Sequence, residues 1–205
     1  MKHKLLLAGL ILLISLPLFA EPFSGTCGTD LYWSLDTSTG ILSISGAGTT
    51  MDDYTTPPWY SVVGYIKSIS LPSNLQNIGE YSFRNCEYLT SIAIHEGITS
   101  IGKFAFLGCK RLKSIIIPES VASIGSGAFE SCISLNGVYI SDIATWCKIS
   151  FIDKPFGSKH NLYLNNELVT ELTIPNGITN IGEYTFAFCS MLSITIPSSV
   201  TTIED

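Results

Sequence analysis

The 205-residue sequence is short of charge: Asp, Glu, Lys and Arg make up 14% of it, and 17 acidic residues outnumber 11 Lys and Arg. No basic stripe is available to displace counterions from phosphates, so nucleic acid is not an expected partner. The same balance argues against an anionic membrane surface. Histidine is scarce, and the two beyond the N-terminus, His95 and His160, have unrelated neighbours. They make neither a metal cluster nor a relay, and no Gly-x-Ser-x-Gly nucleophile motif accompanies them. Asp52-Asp53 lacks the alternating oxygen ligands of a calcium loop. No catalytic, cofactor-binding or metal-binding residue is expected. His95 reads as exposed at a strand edge and His160 as part of a solvated polar loop. What the sequence has in quantity is apolar, 46% AVILMFWYC, which is the composition of a folding chain.

The one long hydrophobic run stands at the N-terminus. Lys2, His3 and Lys4 precede an apolar stretch from Leu5 to Leu16, and Pro17 and Ala20 follow, the three regions of a secretory signal cut after Ala20. Leu5 to Ala20 spans 16 residues, short of the roughly 20 needed to cross a bilayer. No Cys stands at the cut to be acylated. Without residues 1–20 the chain holds nine basic residues against 17 acidic ones, a net charge of −8, and has no second hydrophobic span, so no transmembrane span is expected in it. The expectation is an exported protein, secreted, at the cell surface or periplasmic.

Beyond residue 65 the sequence repeats. Ile66, Leu89, Leu112 and Leu135 are 23 residues apart, and Val169 to Leu192 repeats the step. Counting the first residue as zero, position three is Ile69, Ile92, Ile115 and Leu172, and position five is Leu71, Ile94, Ile117 and Ile174. Position nine is Leu75, Ile98, Val121 and Ile178. Position twelve is Ile78, Ile101, Ile124 and Ile181, each followed by glycine (Gly79, Gly102, Gly125, Gly182). Position seventeen is Phe83, Phe106, Phe129 and Phe186, and position twenty is Cys86, Cys109, Cys132 and Cys189.

Apolar residues two apart, stopped by Pro72, Pro118 or Pro175, describe a short strand with both side chains inward. Positions nine to twelve form a second extended stretch. The glycine is read as a turn at positive φ, and the Ala/Phe/Cys end as one helical turn. A coil buries about six large apolar groups at roughly 1.5–3 kcal/mol each and must order its whole backbone at roughly 1–2 kcal/mol per residue. No coil stands alone, and stacking is the way to share a core.

The run LKSIIIPESVASIGSGAFESCISL from Leu112 to Leu135 resembles the BspA-like, treponemal-type leucine-rich repeats of surface proteins. Gly25 to Tyr54, with Cys27, LYWSLD, the Thr39-Gly40 turn and ILSISGAGTT, is similar to the module that often precedes them. The fold class expected is a β-rich repeat solenoid, a right-handed leucine-rich-repeat horseshoe or arc with 23-residue coils. Residues 66–205 form the solenoid, with an enlarged coil at 135–169 and an incomplete last coil, and residues 21–65 form a β-rich N-terminal capping module. The resemblance implies a surface or secreted protein that binds other macromolecules, adhesion to host proteins being the usual proposal for the family. It carries no catalytic residue.

Six cysteines in an exported chain raise the question of disulfides. Those of neighbouring coils would stand about 4.7–4.9 Å apart with parallel Cβ vectors, against about 3.8 Å between bonded Cβ atoms. The repeat cysteines are therefore read as buried apolar plugs, and Cys27 and Cys147 are left open. From Leu135 to Val169 is 34 residues, one coil and 11 more. Asp142 to Cys147 reads as a short helix capped by Ser141 or Asp142, and Leu162–Leu164, Asn165-Asn166 and Glu167–Val169 as a hairpin. Trp146 and Phe151 either fill this coil or contact a partner, and residues 153–161 are a candidate contact loop.

Strand side chains alternate, so positions two and four face outward. The candidate protein-binding face is small and nearly uncharged, with Ser70, Ser91, Ala93, Ile116, Tyr139, Glu171 and Thr173 as its residues and Ile116 and Tyr139 as anchors. The expected function is a secreted or cell-surface repeat protein that binds extracellular or host proteins through this face, without a cofactor. A structural or self-associating protein with no ligand of its own is the alternative, and an unrecognised hydrolase a minor one. After Leu192 the last repeat has Glu204 in the glycine position, and the expectation there is either a shortened member of a longer-repeat family or self-association through residues 192–205. The plug reading is open to direct test. Under denaturing, non-reducing conditions a thiol reagent should label Cys86, Cys109 and Cys132, and a bridge joining any two of them overturns it.

Overall fold

The structure, a computed structural model, describes residues 23–204, and the secretory-signal reading of residues 1–20 lies outside them. The described chain opens with three antiparallel strands, β1 (Phe23–Gly28), β2 (Leu31–Asp36) and β3 (Ile41–Gly46). Alternation in LYWSLD buries Leu31, Trp33 and Leu35 and exposes the residues between them. Asp36 fixes the β2–β3 turn. Its carboxylate accepts from the Ser38 hydroxyl and from the Ser38 and Thr39 amides, and these bonds hold its pKa down at about 2. The turn at Tyr60–Tyr65 follows Trp59, which is fully buried, stacks on Phe83 and donates its indole N–H to the Ser82 carbonyl at 2.9 Å.

Each coil then supplies two strands. The first has β4 (Ser68–Ser70) and β5 (Asn77–Ile78), the second β6 (Ser91–Ile92) and β7 (Ser100–Ile101), and the third β8 (Ser114–Ile116) and β9 (Ser123–Ile124). Next come β10 (Gly137–Ile140) and β11 (Ser150–Phe151), on either side of the helix α1 (Ile143–Trp146). On one side of the coils β3, β4 and β6 pair in parallel, and β8 pairs with β10; on another, β5, β7, β9 and β11 form one parallel ladder. The positions set inward by the repeat are buried in the regular coils, with Leu71 the half-buried exception. Parallel stacking lays like on like, so Phe83, Phe106, Phe129 and Phe156 form an aromatic column with ring centroids 5.1–5.3 Å apart. Beside it Cys109 and Cys132 give S–H bonds to the carbonyls of Phe83 and Phe106, one coil below, at 3.2 and 3.1 Å. All six cysteines are free thiols, and burial pushes those of Cys86 and Cys109 well up.

The glycine after position twelve has a different role from the one expected. Its φ is not positive in any coil. It marks the place where coils come closest: a Cβ on Gly102 would lie 2.6 Å from the Glu80 nitrogen, and one on Gly125 2.5 Å from the Lys103 nitrogen. The left-handed residues fall later in the coil. Tyr81, Phe104, Gly127 and Tyr184 at position fifteen, and Asn85, Gly108, Ser131 and Phe188 at position nineteen, all have φ between 53° and 74°. The segment between them consists of tight turns, Arg84 donating to the Tyr81 carbonyl and Cys86 to that of Phe83, and it also forms a third ladder. Tyr81, Phe83 and Asn85 donate to the Lys103, Ala105 and Leu107 carbonyls of the next coil at 2.7–2.9 Å, and the following pair of coils repeats the pattern.

The enlarged coil closes at β12 (Asn161–Leu164), whose Leu162 lies opposite Val138 in parallel pairing. The surplus is the second strand of a hairpin, β13 (Glu167–Leu168), turned by Asn165 and Asn166 at φ 51° and 70°. Asp142 caps α1 by accepting the Thr145 N–H at 2.6 Å, and these bonds lower its pKa. Trp146 and Phe151 are buried and fill the coil. The loop 153–161 is only partly available to a partner, because Pro155, Phe156 and His160 point inward. His160 is not solvated: it is 2% exposed, bridges Cys189 in the cysteine column, and holds Nε2 3.5 Å from Cys189 Sγ. Its Nδ1–H donates to the Ser158 carbonyl, which leaves Nε2 to accept. His95 is half-buried, with Nε2 2.9 Å from the Pro72 carbonyl of the coil below.

Two further coils follow, β14 (Glu171–Thr173) with β15 (Asn180–Ile181) and β16 (Ser193–Thr195) with β17 (Thr202–Ile203). On the first two ladders these strands pair with each other but not with the strands before them, and only the third ladder crosses, at His160 and Cys189. A seam therefore crosses the solenoid, and Trp146 bridges it by donating its indole N–H to the Thr185 carbonyl at 2.9 Å.

At the seam a Cβ on Gly182 would meet nothing closer than the Thr185 hydroxyl at 3.7 Å. Gly102→Ala or Gly125→Ala should cost about 3 kcal/mol or more of unfolding free energy, because backbone must move, whereas Gly182→Ala should stay within about 1 kcal/mol of the native chain. Equal losses in urea unfolding at all three would refute the close-approach reading. Burial lowers the pKa of His160 below the ordinary 6.5, so the unfolded chain takes up a proton that the folded one resists. Its contribution is whole above that value and is lost as pH falls below it. Thermal melts should drop between about pH 7 and about pH 5, a drop retained by His95→Gln and reduced by His160→Gln.

Candidate protein-interaction face

Parallel pairing sets equivalent residues of successive coils opposite one another, so a residue type that recurs at one position becomes a row across the sheet. On the first ladder the row at position four runs in register from Ile116 to Tyr139, to Tyr163, and across the hairpin to Leu168. Ile116 is 61% and Leu168 47% exposed. The tyrosines are half-buried because their rings lie against each other, centroids 4.4 Å apart and planes 6° from parallel. Gly137 makes room for them: a Cβ there would stand 2.9 Å from Tyr139 Cε2 and 3.3 Å from Tyr163 Cε2.

The residues expected on this face fall into two groups. Ser70, Ser91, Ala93 and Ile116 are exposed and Tyr139 half-buried, all on the side where the row lies. Glu171 and Thr173 are exposed on β14, beyond the hairpin, across a groove of about 460 Å³ that Leu164, Leu168 and Glu171 help to line. Tyr163 and Leu168 were not among the expected contacts. The signal for Tyr163 was the step of 24 from Val138 to Leu162, which makes Leu162 a position-three residue and Tyr163 its outward neighbour.

Charge stays off the row and gathers on the turns leading into the ladder, where Lys110 pairs with Glu87 at 2.6 Å and Arg111 lies 4.6 Å above the Tyr88 ring. The titratable groups enclosed elsewhere are held neutral, although Cys189 is half-buried at the seam and not the buried plug expected of a repeat cysteine. Burial, and then the charge of Asp52 or Asp142, raises Cys27 and Cys147 to about 11, and burial raises Cys189 to about 12. With His160 shifted the other way, the Cys189–His160 contact is a neutral hydrogen bond and not a thiolate–imidazolium pair. Among the described residues no three His, Cys, Asp or Glu side chains converge on a common point, and no helix is long and apolar enough to cross a membrane.

No curated protein matches the sequence. Among solved structures, the T. pallidum leucine-rich repeat protein shares the fold at 19% identity and a TM-score of 0.50, the match covering 85% of this chain and 83% of that one. A leucine-rich repeat protein from Eubacterium ventriosum aligns at 22% identity and a TM-score of 0.45 over 89% of this chain, which spans 62% of that protein. A leucine-rich cell surface protein from Faecalibacterium prausnitzii aligns at 18% identity and a TM-score of 0.36, covering 90% of this chain and 73% of that one. The sequence itself matches the family model of the BspA type leucine-rich repeat region in six copies over residues 60–156 and 157–205. The ladders of strand, glycine, phenylalanine and cysteine are thus the structural form of that repeat, and the chain belongs to the BspA type leucine-rich repeat family.

Proposed function

We propose that the chain is an exported, secreted or cell-surface, protein that binds other extracellular proteins through the outer face of its first ladder. The observation that carries this reading is the in-register row Ile116, Tyr139, Tyr163 and Leu168, apolar side chains turned outward where the core does not need them. Two stacked tyrosines between two aliphatic ends offer a rigid amphipathic surface with little rotamer freedom to lose on binding. The small residues Ser70, Ser91 and Ala93 beside the row let a partner backbone come close. Export is supported by the charged and apolar pattern of residues 2–20.

Pull-down on immobilised extracellular-matrix proteins tests the reading. Ile116→Glu and Leu168→Glu place a charge where an interface would be desolvated and should weaken capture at least tenfold, a loss of about 1.4 kcal/mol or more. Because both side chains are exposed in the free chain, unfolding free energies should change by no more than about 0.5 kcal/mol. Capture by the native chain that both variants retain overturns the face, and no capture of any matrix protein overturns the adhesion reading.

A further inference from the structure

The seam leaves the second ladder one strand short. In the regular coils the N–H groups at positions ten and thirteen donate to the coil below: Thr99 to Gln76 and Gly102 to Ile78, Ala122 to Thr99 and Gly125 to Ile101, all at 2.7–2.8 Å. Thr201 and Glu204 do the same to Thr179 and Ile181. At the seam the equivalent donors, Thr179 and Gly182, have no partner among the described residues, and neither do the Ile149 and Phe151 carbonyls on the facing coil. Donors and acceptors of one ladder thus stand on opposite walls of a cleft of about 450 Å³, within the range of ligand sites. The coils are held on their other sides. His160 exchanges backbone bonds with Phe188 and Ser190, Trp146 reaches Thr185, and on the first ladder β13 pairs with the edge of β12 as an added strand. Nothing from the described chain fills the corresponding place beside β11.

We infer that this cleft binds an extended segment of another polypeptide, which enters as a strand between β11 and β15. Each wall offers the hydrogen bonds that a strand satisfies, so affinity comes from main chain and selectivity from side chains. Ile149, Phe151 and Ile178 give an apolar floor for the inward residues of the segment. Glu183 and Glu204 line the cleft against Lys148 alone, so the segment carries a basic residue just after its strand. A ladder strand of the protein itself has these features: in ITSIGKF, residues 98–104, the lysine follows the glycine and would fall level with Glu183. The site is separate from the row on the first ladder.

The labelled peptide ITSIGKF is the probe, titrated with the folded chain by fluorescence anisotropy. Saturable binding is expected, with slowed amide exchange at Thr179 and Gly182. Gly182→Leu should fold, since space opens beyond that Cα, and should weaken binding at least tenfold by filling the cleft; Glu183→Lys should weaken it by a smaller factor. Ile116→Glu should bind the peptide as the native chain does, which keeps this result apart from that of the outer face. Absence of saturable binding overturns the inference, as does undiminished binding to Gly182→Leu. So does a concentration-dependent dimer that Gly182→Leu abolishes, because the occupant would then be a second copy of the chain.

Discussion

The distance between successive coils is set where one backbone passes over the next with no side chain between them. Gly102 and Gly125 sit so close to the preceding turn that a single carbon would collide with its main chain. That approach allows the strands on either side to hydrogen-bond, and hydrogen-bonding at strand spacing brings phenylalanine onto phenylalanine within 5.3 Å of the ring below. The columns of Phe and Cys follow from the spacing. A coil whose glycine gained a Cβ would lift, and the lift would be felt along three ladders at once. Gly182 keeps the glycine without the close approach, and the strand beside it lies unpaired on that side.

Most of this architecture was legible because a solenoid repeats its physics. The inward positions three, five, nine, twelve and seventeen recur as the same residue types, buried in all copies except Leu71 and Phe186, and four copies make the pattern readable without any propensity argument. The left-handed positions were not legible, since Tyr81, Phe104 and Tyr184 at position fifteen have side chains that rarely signal positive φ. At Tyr81 and Phe104 the conformation goes with the third-ladder bonds to Lys103 and Ser126, and the strain is offset by contacts on the outside, such as the Tyr81 ring against Phe104 at 5.2 Å and Arg84 over Tyr81 at 5.6 Å. His160 was misread for a related reason. The enlarged coil displaces the cysteine column from its spacing of three after phenylalanine, and a histidine in a stretch of Gly, Ser and Lys looks solvated until pairing sets it against Cys189.

The candidate face was legible in its first half only. Position four of a regular coil is outward by alternation alone, which places Ile116 and Tyr139. Tyr163 belongs to a strand whose repeat membership depends on a helix, a loop and a second strand packed between two regular steps. Nothing local in Leu162-Tyr163-Leu164 distinguishes a hairpin strand from a ladder strand, and it is in fact both. Leu168 enters the row through antiparallel pairing, a relation that no 23-residue register contains.

The two buried tryptophans that donate to coil carbonyls show that the seam is a second beginning. Trp59 lies beneath the first coil and donates to the carbonyl of Ser82; Trp146 lies beneath the coil after the seam and donates to Thr185. Ser82 and Thr185 are both position sixteen, and their hydroxyls turn back onto the carbonyls of Gly79 and Gly182 at 2.8 Å. In the two regular coils that follow the first, position sixteen is Ala105 and Ala128, and the place Trp59 takes against Phe83 is held by the phenylalanine of the coil below; in the enlarged coil the equivalent residue is Pro155. A coil with a regular neighbour beneath it needs only a small residue there. A coil that starts a stack meets a larger and flatter surface, and the hydroxyl ties its turn while the free carbonyl accepts the indole. The Ser/Thr-for-Ala exchange thus separates starting coils from continuing ones. By that criterion residues 169–204 are a second, short stack set upon the first, joined to it through one tryptophan, one histidine and a hairpin.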